Sequence, residues 1–298
     1  MNKLIKVAEK TYYISGPFHI GVYELDTISY TGKKEVCLID SGVDKIVAKV
    51  VDELHVENGF TVKFIINTHY HADHCGGNNY FKEKYDCKIY SNKFNASLIS
   101  NFDIAPAVIW GATPIREVLN NYFYATPTPA EDIENFNLPD GFEIVSLPGH
   151  CIDMIGVRTP DNVLFLGDAV ISKETIENHP LTYIYEIGEH LKTLEKLKNI
   201  KASLYVPYHA EPVKKIKPLC DVNIQGIHQN IEDIKRICKE PRSIDEVISI
   251  FFNEKGFKLS MYKYAVEGGI VKTYITYLYN EGQMLATNEN NFIKWQTR

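Results

Sequence analysis

The chain has 298 residues, a formal net charge of −6 and 45% hydrophobic residues. This length suits one large domain or one domain with a smaller partner, and the ordinary composition excludes disordered and fibrous proteins. Nucleic acids and anionic membranes attract basic surfaces, so the acidic balance argues against both as partners. No apolar run approaches the length of a membrane span, and the N-terminal segment lacks a signal-peptide pattern.

The six cysteines include no CxxC pair, and a chain of this length does not need disulfide bonds to support its core. We therefore expect reduced thiols and a cytoplasmic protein. Ten histidines are the one feature of the composition that these class arguments leave unexplained.

Two stretches of the chain repeat the same order of elements. In the first, a strand at 35–40 ends in Asp40, a helix follows from Asp44 until Gly59, and a strand at 64–66 leads to His69. In the second, a strand at 163–166 leads to Asp168, a helix follows, and a strand at 204–206 leads to His209. Further strands are predicted at 11–15 and 21–30. This coarse duplication predicts two similar α/β halves that face each other.

The stretch from Asn92 to Asp140 contains five prolines and shows no clear period. Since a structureless loop of that length is uncommon in a compact domain, we expect some helix there and a role in shaping a pocket.

The pattern changes after Pro218, which predicts one domain over residues 1–217 and a second over residues 218–298. The second has predicted helices at 223–238, from a Ser243 cap onward and at 265–279, followed by a ribbon of 283–287 with 291–296. Three helices and a ribbon outline a winged helix. From residue 221 onward ten basic residues balance ten acidic ones. This part therefore lacks the excess positive charge that is typical of a DNA-binding domain. We expect this part to act as a lid or as a homodimer contact.

The motif that predicts chemistry is Thr-His-Tyr-His-Ala-Asp-His-Cys-Gly-Gly at 68–77. His69 and His71 follow a strand, where two imidazoles can face a divalent ion such as zinc, and Asp73 and His74 add an oxygen and a nitrogen. Four donors are too many for one tetrahedral site that keeps a position for water. The spacing therefore indicates two metal ions at one mouth. The two glycines permit a close backbone approach behind the site.

Three more positions extend this cluster, each at the end of a predicted strand. His150 follows the segment SLPG, Asp168 follows VLFLG and His209 follows VPY. Each residue alone is equally typical of a turn or a helix cap, but their mirrored placement in the two halves raises the probability that they are metal ligands.

Together with Asp40 in LIDSG, these motifs resemble the signature of the metallo-β-lactamase superfamily over about residues 5–215. The resemblance implies an α/β fold, a four-layer αββα sandwich, extended here by a small winged-helix-like domain. It implies one metal ion on His69, His71 and His150 and a second on Asp73, His74 and His209, with Asp168 bridging. Asp at the bridging position places the chain nearer the glyoxalase II and lactonase branch than the β-lactamases with Cys there. The residues after His150 and around His209 depart from the common family pattern.

The resemblance further implies a hydrolase with two divalent ions, Zn²⁺ in the first place and Fe or Mn as alternatives. A metal-bound hydroxide would attack a small ester, thioester or lactone. Asp73 is also the candidate catalytic residue, since it could hold the hydroxide and pass its proton to the leaving group. Two alternatives stay open: a phosphodiester or RNA hydrolase, and a mononuclear iron persulfide dioxygenase.

Residues outside the ligand set are harder to interpret. Asp40 is expected to anchor a ligating histidine. His179 and Tyr183 could face the substrate, although exposed loop positions fit them better, and His19 could lie at the rim or simply on the surface. Two cysteines adjacent to ligands are expected to be packing residues rather than ligands, namely Cys75 and Cys151. The remaining histidines on predicted helices need no function, namely His55, His190 and His228.

Overall fold

The computed structural model describes residues 2–179 and 181–298. Its first sheet contains seven strands, which lie side by side in chain order. These are β1 (Lys3–Lys6), β2 (Thr11–Ser15), β3 (Ile20–Ile28), β4 (Lys34–Ile39), β5 (Phe60–Ile66), β6 (Lys88–Ser91) and β7 (Glu131–Asp132). The second sheet has the order β11-β10-β9-β8, with β8 (Glu143–Ser146), β9 (Ile155–Arg158), β10 (Val163–Phe165) and β11 (Leu204–Val206).

The helices surround these two sheets. They are α1 (Lys45–Glu57), α2 (Ala72–Cys75), α3 (Asn78–Tyr85), α4 (Lys93–Ser100), α5 (Ala105–Trp110), α6 (Lys173–Asn178), α7 (Ile187–Leu197), α8 (Lys217–Ile237), α9 (Ile244–Glu254) and α10 (Met261–Asn280). A separate ribbon of β12 (Met284–Glu289) and β13 (Phe292–Thr297) follows them.

The side chains of β4 alternate between the two faces of the first sheet, and this alternation shows how helices and sheets form layers. Leu38 packs with Ala48 and Val51 of α1 on one side of the first sheet, because successive side chains of a strand point to opposite faces. Ile39, its neighbour, packs on the other side against residues of the second sheet that include Val206. The predicted αββα sandwich is therefore present, and α7 covers the outer face of the second sheet.

The repeated strand, Asp, helix, strand, His order is also present. The pair β4 and β5 is parallel, as is the pair β10 and β11. Parallel neighbours end at the same edge of their sheet, so residues that follow these strands come together there.

The C-terminal part contains the three predicted helices and the ribbon, while its winged-helix assignment stays a prediction. Two predicted helix starts were wrong. The helix α8 begins at Lys217, six residues before the predicted start, because Pro218 fits the first turn of a helix. The helix α10 begins at Met261, four residues before the predicted start, because Ser260 caps it. The core of α8, α9 and α10 is continuous with that under α7. The division at residue 217 thus stays a proposal, and it falls at the start of α8.

The proline-containing stretch after β6 holds the expected helix, in α4, α5 and short 3₁₀ turns. Its residue Val118 packs against Ala265 and Val266 of α10, so the stretch connects the sheet edge to the C-terminal helices. Among the described residues, no helix combines the length and apolar character needed to cross a membrane.

Candidate metal centre

Asp40 and Thr68 form the base of the site, directly after β4 and β5. Asp40 has φ +63, a left-handed conformation that Asp tolerates better than most residues. Its carboxylate accepts hydrogen bonds from the backbone N–H of Thr68 at 2.8 Å and from the Thr68 hydroxyl. The same carboxylate lies 2.8 Å from Nδ1 of His74. Asp40 therefore connects the loop after β4 to the loop that carries the 68–77 motif, and it contacts one candidate ligand histidine, as expected from the sequence.

The first donor group consists of His69, His71, His150 and Asp168. Nδ1 of His71 lies 2.9 Å from Nε2 of His69 and 2.9 Å from Nε2 of His150. Oδ2 of Asp168 lies 3.4 Å from Nε2 of His150. Three ring nitrogens and one carboxylate oxygen thus converge on one point.

The second donor group consists of Asp73, His74, Asp168 and His209. Oδ2 of Asp73 lies 3.1 Å from Nε2 of His209 and 3.7 Å from Nε2 of His74. The other oxygen of Asp168, Oδ1, lies 3.2 Å from Nε2 of His74. All seven predicted ligands are therefore brought together, and Asp168 belongs to both groups.

The donor geometry fits a pair of metal ions. Ligands about 2.0–2.1 Å from a tetrahedral ion are separated by about 3.3 Å. The donor pairs described above are 2.9 to 3.7 Å apart, and all donor atoms of a group lie within 4.8 Å of one another. Nε2 of His74 and Oδ1 of Asp168 are buried and have no hydrogen-bond partner among the described residues. Since buried polar atoms are normally satisfied, a cation between the two atoms would supply the missing interaction.

The two groups differ electrostatically. Burial lowers the pKa of His71 to about 4 and that of His150 to about 3, so both rings are neutral and keep a lone pair for a cation. Burial also opposes protonation of His74, but Asp168, Asp73 and Asp40 outweigh it and raise its pKa well above the ordinary value. The second group therefore contains more uncompensated negative charge when its histidines are neutral, which a second cation would balance.

Gly76 and Gly77, the last two residues of the motif, allow the close approach between backbone segments that the sequence predicts. A Cβ on Gly76 would lie 2.0 Å from the carbonyl oxygen of Val43, and one on Gly77 would lie 2.2 Å from that of Ser41. Both distances are far inside van der Waals contact. A side chain at either position would push the ligand loop away from β4.

Tyr208 packs against the second donor group, a role that the sequence did not predict. Its ring stacks on His74 with centroids 3.7 Å apart, and its hydroxyl donates to the backbone carbonyl of Asp73 at 2.5 Å. Phe18 in turn stacks on Tyr208 and meets the edge of His209. The only sequence signal was the position of Tyr208 directly before a predicted ligand.

Tyr183 corrects a sequence-based interpretation. It is not an exposed loop residue: its ring lies 4.9 Å from that of His71 and 5.6 Å from that of His150. The hydroxyls of Tyr70 and Tyr183 share a hydrogen bond, and burial raises the pKa of Tyr183 to about 12. Tyr183 is therefore protonated, and it lines the cavity that lies beside the donor groups. His179, by contrast, is exposed.

The other residues considered from sequence have packing roles. Cys75 and Cys151 are buried, belong to neither donor group, and contact the oxygens of Tyr70 and Asn95. His19 is buried rather than on the surface, and its Nδ1 lies 3.1 Å from the carbonyl oxygen of Pro207.

A cavity of about 330 Å³ lies beside the donor groups. His150, Asp168 and His209 line the cavity together with residues of α8 and α10. His190 of α7 also lines it, although sequence reasoning gave this residue no function. No sequence signal marks it, because helical spacing shows only that it lies on the buried face.

The part of the chain that contains the donor groups is similar to known proteins. A family model described as the metallo-beta-lactamase superfamily matches residues 26–209. The hydroxyacylglutathione hydrolase of Prochlorococcus marinus is 24% identical over 77% of this chain and 81% of that protein. The beta-lactamase-like protein 2 homolog of Drosophila melanogaster is 26% identical over 73% of this chain and 70% of that protein. A beta-lactamase domain protein from Burkholderia ambifaria has the same fold, with a TM-score of 0.71 and 17% identity over 99% of this chain and 93% of that chain.

Proposed function

Since the chain belongs to the metallo-β-lactamase superfamily and is a metallo-hydrolase, we propose that it uses two divalent metal ions to hydrolyse a small ester, thioester or lactone. The observation that carries the proposal is the pair of donor groups that share Asp168. Nitrogen and carboxylate donors without a thiolate fit Zn²⁺ well, and they also suit iron and manganese.

A pair of divalent ions, when bound, lowers the pKa of a shared water and polarises a carbonyl oxygen. Asp73 is placed to handle the proton in such a reaction. Interactions with His74 and His209 outweigh its burial and keep its pKa below the ordinary value, so it is ionised and able to accept a proton. We assign it the transfer of that proton to the leaving group.

We further propose that Tyr183 acts on the substrate's carbonyl oxygen. Its hydroxyl shares a hydrogen bond with that of Tyr70 and stays protonated, and its ring contacts two histidines of the first group. A donor held there can stabilise negative charge that develops on the oxygen in the transition state.

The cavity favours a small carbonyl substrate over a polyanion. Of its described lining residues none is Lys or Arg, whereas nucleic-acid hydrolases need cations along the phosphate backbone. The relatives named hydroxyacylglutathione hydrolase support an acyl substrate. A cytoplasmic location agrees with six free, buried thiols. Dimerisation stays a prediction that light scattering tests.

The test is a hydrolysis panel of thioesters, esters, lactones, β-lactams and phosphodiesters, with and without removal of metal by a chelator. We expect metal-dependent turnover of one carbonyl class, lost in Asp168→Ala and in His71→Ala. Turnover that survives in either variant would disprove the site. One iron per chain with oxygen uptake on a persulfide would instead establish the dioxygenase alternative.

A further inference from the structure

The C-terminal helices complete the cavity beside the metal centre. Asn223, Gly226, Ile227 and Asn230 of α8, with Tyr274 of α10, line the same cavity as His150, Asp168 and His209. A substrate whose carbonyl carbon lies at the donor groups therefore has one of its two arms against these helices. Residues far from the 68–77 motif in sequence thus shape the space available to that arm.

The remaining walls combine apolar side chains with a few uncharged polar ones, Thr175, Thr182 and His190. Ile171, Ile176 and Ile184 line the cavity together with Ile227 and the Tyr183 ring. Among the described lining residues the only carboxylate is Asp168, which belongs to the donor groups, and there is no Lys or Arg. A charged group carried into this space would lose its hydration without gaining an ion pair.

Several polar groups in the walls are already engaged. The Asn223 side chain accepts from the N–H of Ile171 and donates to the carbonyl oxygens of Ile171 and Leu219. The amide of Asn230 donates to the Tyr274 hydroxyl at 3.1 Å. These contacts hold α8 to the loop after Asp168 and to α10. These contacts fix the shape of the cavity, whose surface toward a ligand is about equally apolar and polar and, among the described lining residues, carries no carboxylate, Lys or Arg outside the donor groups.

We propose, resting on the function proposed above, that this cavity binds the acyl arm of the substrate and selects an uncharged aliphatic acyl group, with Ile227 limiting its length. A cavity of about 330 Å³ is at the small end of ligand pockets, which fits a short or medium acyl chain rather than a bulky one. The C-terminal part is then a specificity element of the hydrolase.

The experiment measures binding without turnover. Linear alkyl hydroxamic acids of increasing length are titrated calorimetrically into the zinc-loaded full-length protein. We expect affinity to rise about fourfold per methylene until the cavity is filled. A hydroxamic acid of equal length that ends in a carboxylate should bind at least about tenfold more weakly, because its charge is desolvated.

Variants at position 227 test the cavity itself. Ile227→Phe should move the length optimum to shorter chains, and Ile227→Ala should move it to longer ones. His228→Phe is the matched control, because His228 is exposed next to Ile227 on the same helix and should leave the profile unchanged. Circular dichroism and thermal unfolding establish that each variant is folded.

Several results would overturn the assignment. These are an affinity that does not depend on chain length, equal binding of the carboxylate-ended probe, no binding of any probe, or an unchanged profile in both folded Ile227 variants. Ester and thioester hydrolysis is measured separately. Length-dependent binding without hydrolysis of any acyl substrate would refute the proposed reaction alone, and hydrolysis with a flat binding profile would refute the acyl pocket alone.

Discussion

Asp40 holds one nitrogen of His74 while the opposite nitrogen faces Asp168. The distances are 2.8 Å from Oδ2 of Asp40 to Nδ1 and 3.2 Å from Nε2 to Oδ1 of Asp168. A hydrogen bond from Nδ1–H to Asp40 directs the lone pair of Nε2 into the site, as carboxylates commonly do behind metal-binding histidines. A residue about thirty positions before the ligand motif thereby sets the orientation of one ligand ring.

Asp40→Asn should weaken binding of the metal ions by about 10- to 100-fold. Asn tolerates the left-handed conformation at this position, so the backbone should stay in place while the negative charge behind His74 is lost. Competition with a chromophoric chelator measures the effect. Asp26→Asn makes the same chemical change at an exposed carboxylate, and this control variant should bind the metal ions as tightly as the wild type does. Equal affinity in both variants would remove Asp40 from the site.

Tyr183→Phe should lower kcat by about 10- to 100-fold and change KM little, because the hydroxyl acts on charge that develops only in the transition state. The ring stays to pack against His71. Steady-state kinetics on the best substrate of the hydrolysis panel measure this split. Tyr185→Phe removes a hydroxyl from an exposed neighbour and serves as the control. A change in KM alone would assign Tyr183 to binding instead.

Gly77→Ala should destabilise the fold by about 2–3 kcal/mol, since its methyl group would meet the carbonyl oxygen of Ser41. Gly269→Ala makes the same change inside α10, where an added Cβ has no atom within 4 Å. That variant should gain about 0.5–1 kcal/mol from the better helix propensity of alanine. Urea unfolding measures both. Equal effects would show that close packing behind the ligand loop is unimportant.

Asp52 predicts a pH-dependent contribution to stability. Although burial alone would raise its pKa, hydrogen bonds from Lys84, Tyr85 and Tyr80 hold the pKa below its ordinary value. A carboxylate with a lowered folded-state pKa stabilises above its unfolded pKa of about 3.9, and this contribution is lost as pH falls through the folded value.

Asp52→Asn should therefore unfold at lower urea concentration than the wild type at pH 7, with the difference shrinking at about pH 3 and below. Glu53→Gln, an exposed change next to it on α1, should show no such difference. A gap between Asp52→Asn and the wild type that stays constant with pH would mean that the ionised carboxylate contributes nothing.

The ligand set was readable from sequence because each donor follows a strand or lies in one short loop. The strands predicted before Asp40, His69, Asp168 and His209 place these residues at one sheet edge, and the parallel pairs β4–β5 and β10–β11 do so in the structure. Such placement is a local consequence of strand pattern. The strand pattern thus made the seven residues candidates, and the family resemblance supplied their assignment to two ions.

The pocket was not readable in the same way. Tyr183 was interpreted as exposed because its segment has loop composition, yet the fold brings it against two histidines. Ile227 and Tyr274 have the spacing of ordinary core residues, and only the packing of α8 and α10 turns them toward the cavity. Helical spacing distinguishes buried from exposed faces, but it does not show what the buried face meets.

The number of metal ions per chain tests the two-ion site most directly. The protein is loaded with zinc, freed of excess metal by gel filtration and measured by inductively coupled plasma mass spectrometry, in parallel with Asp168→Asn. Because Asp168 contributes an oxygen to both donor groups, we predict two tightly held ions per chain in the wild type and a marked loss in the variant. No more than one ion in the wild type, or an unchanged content in Asp168→Asn, would contradict a shared dinuclear centre.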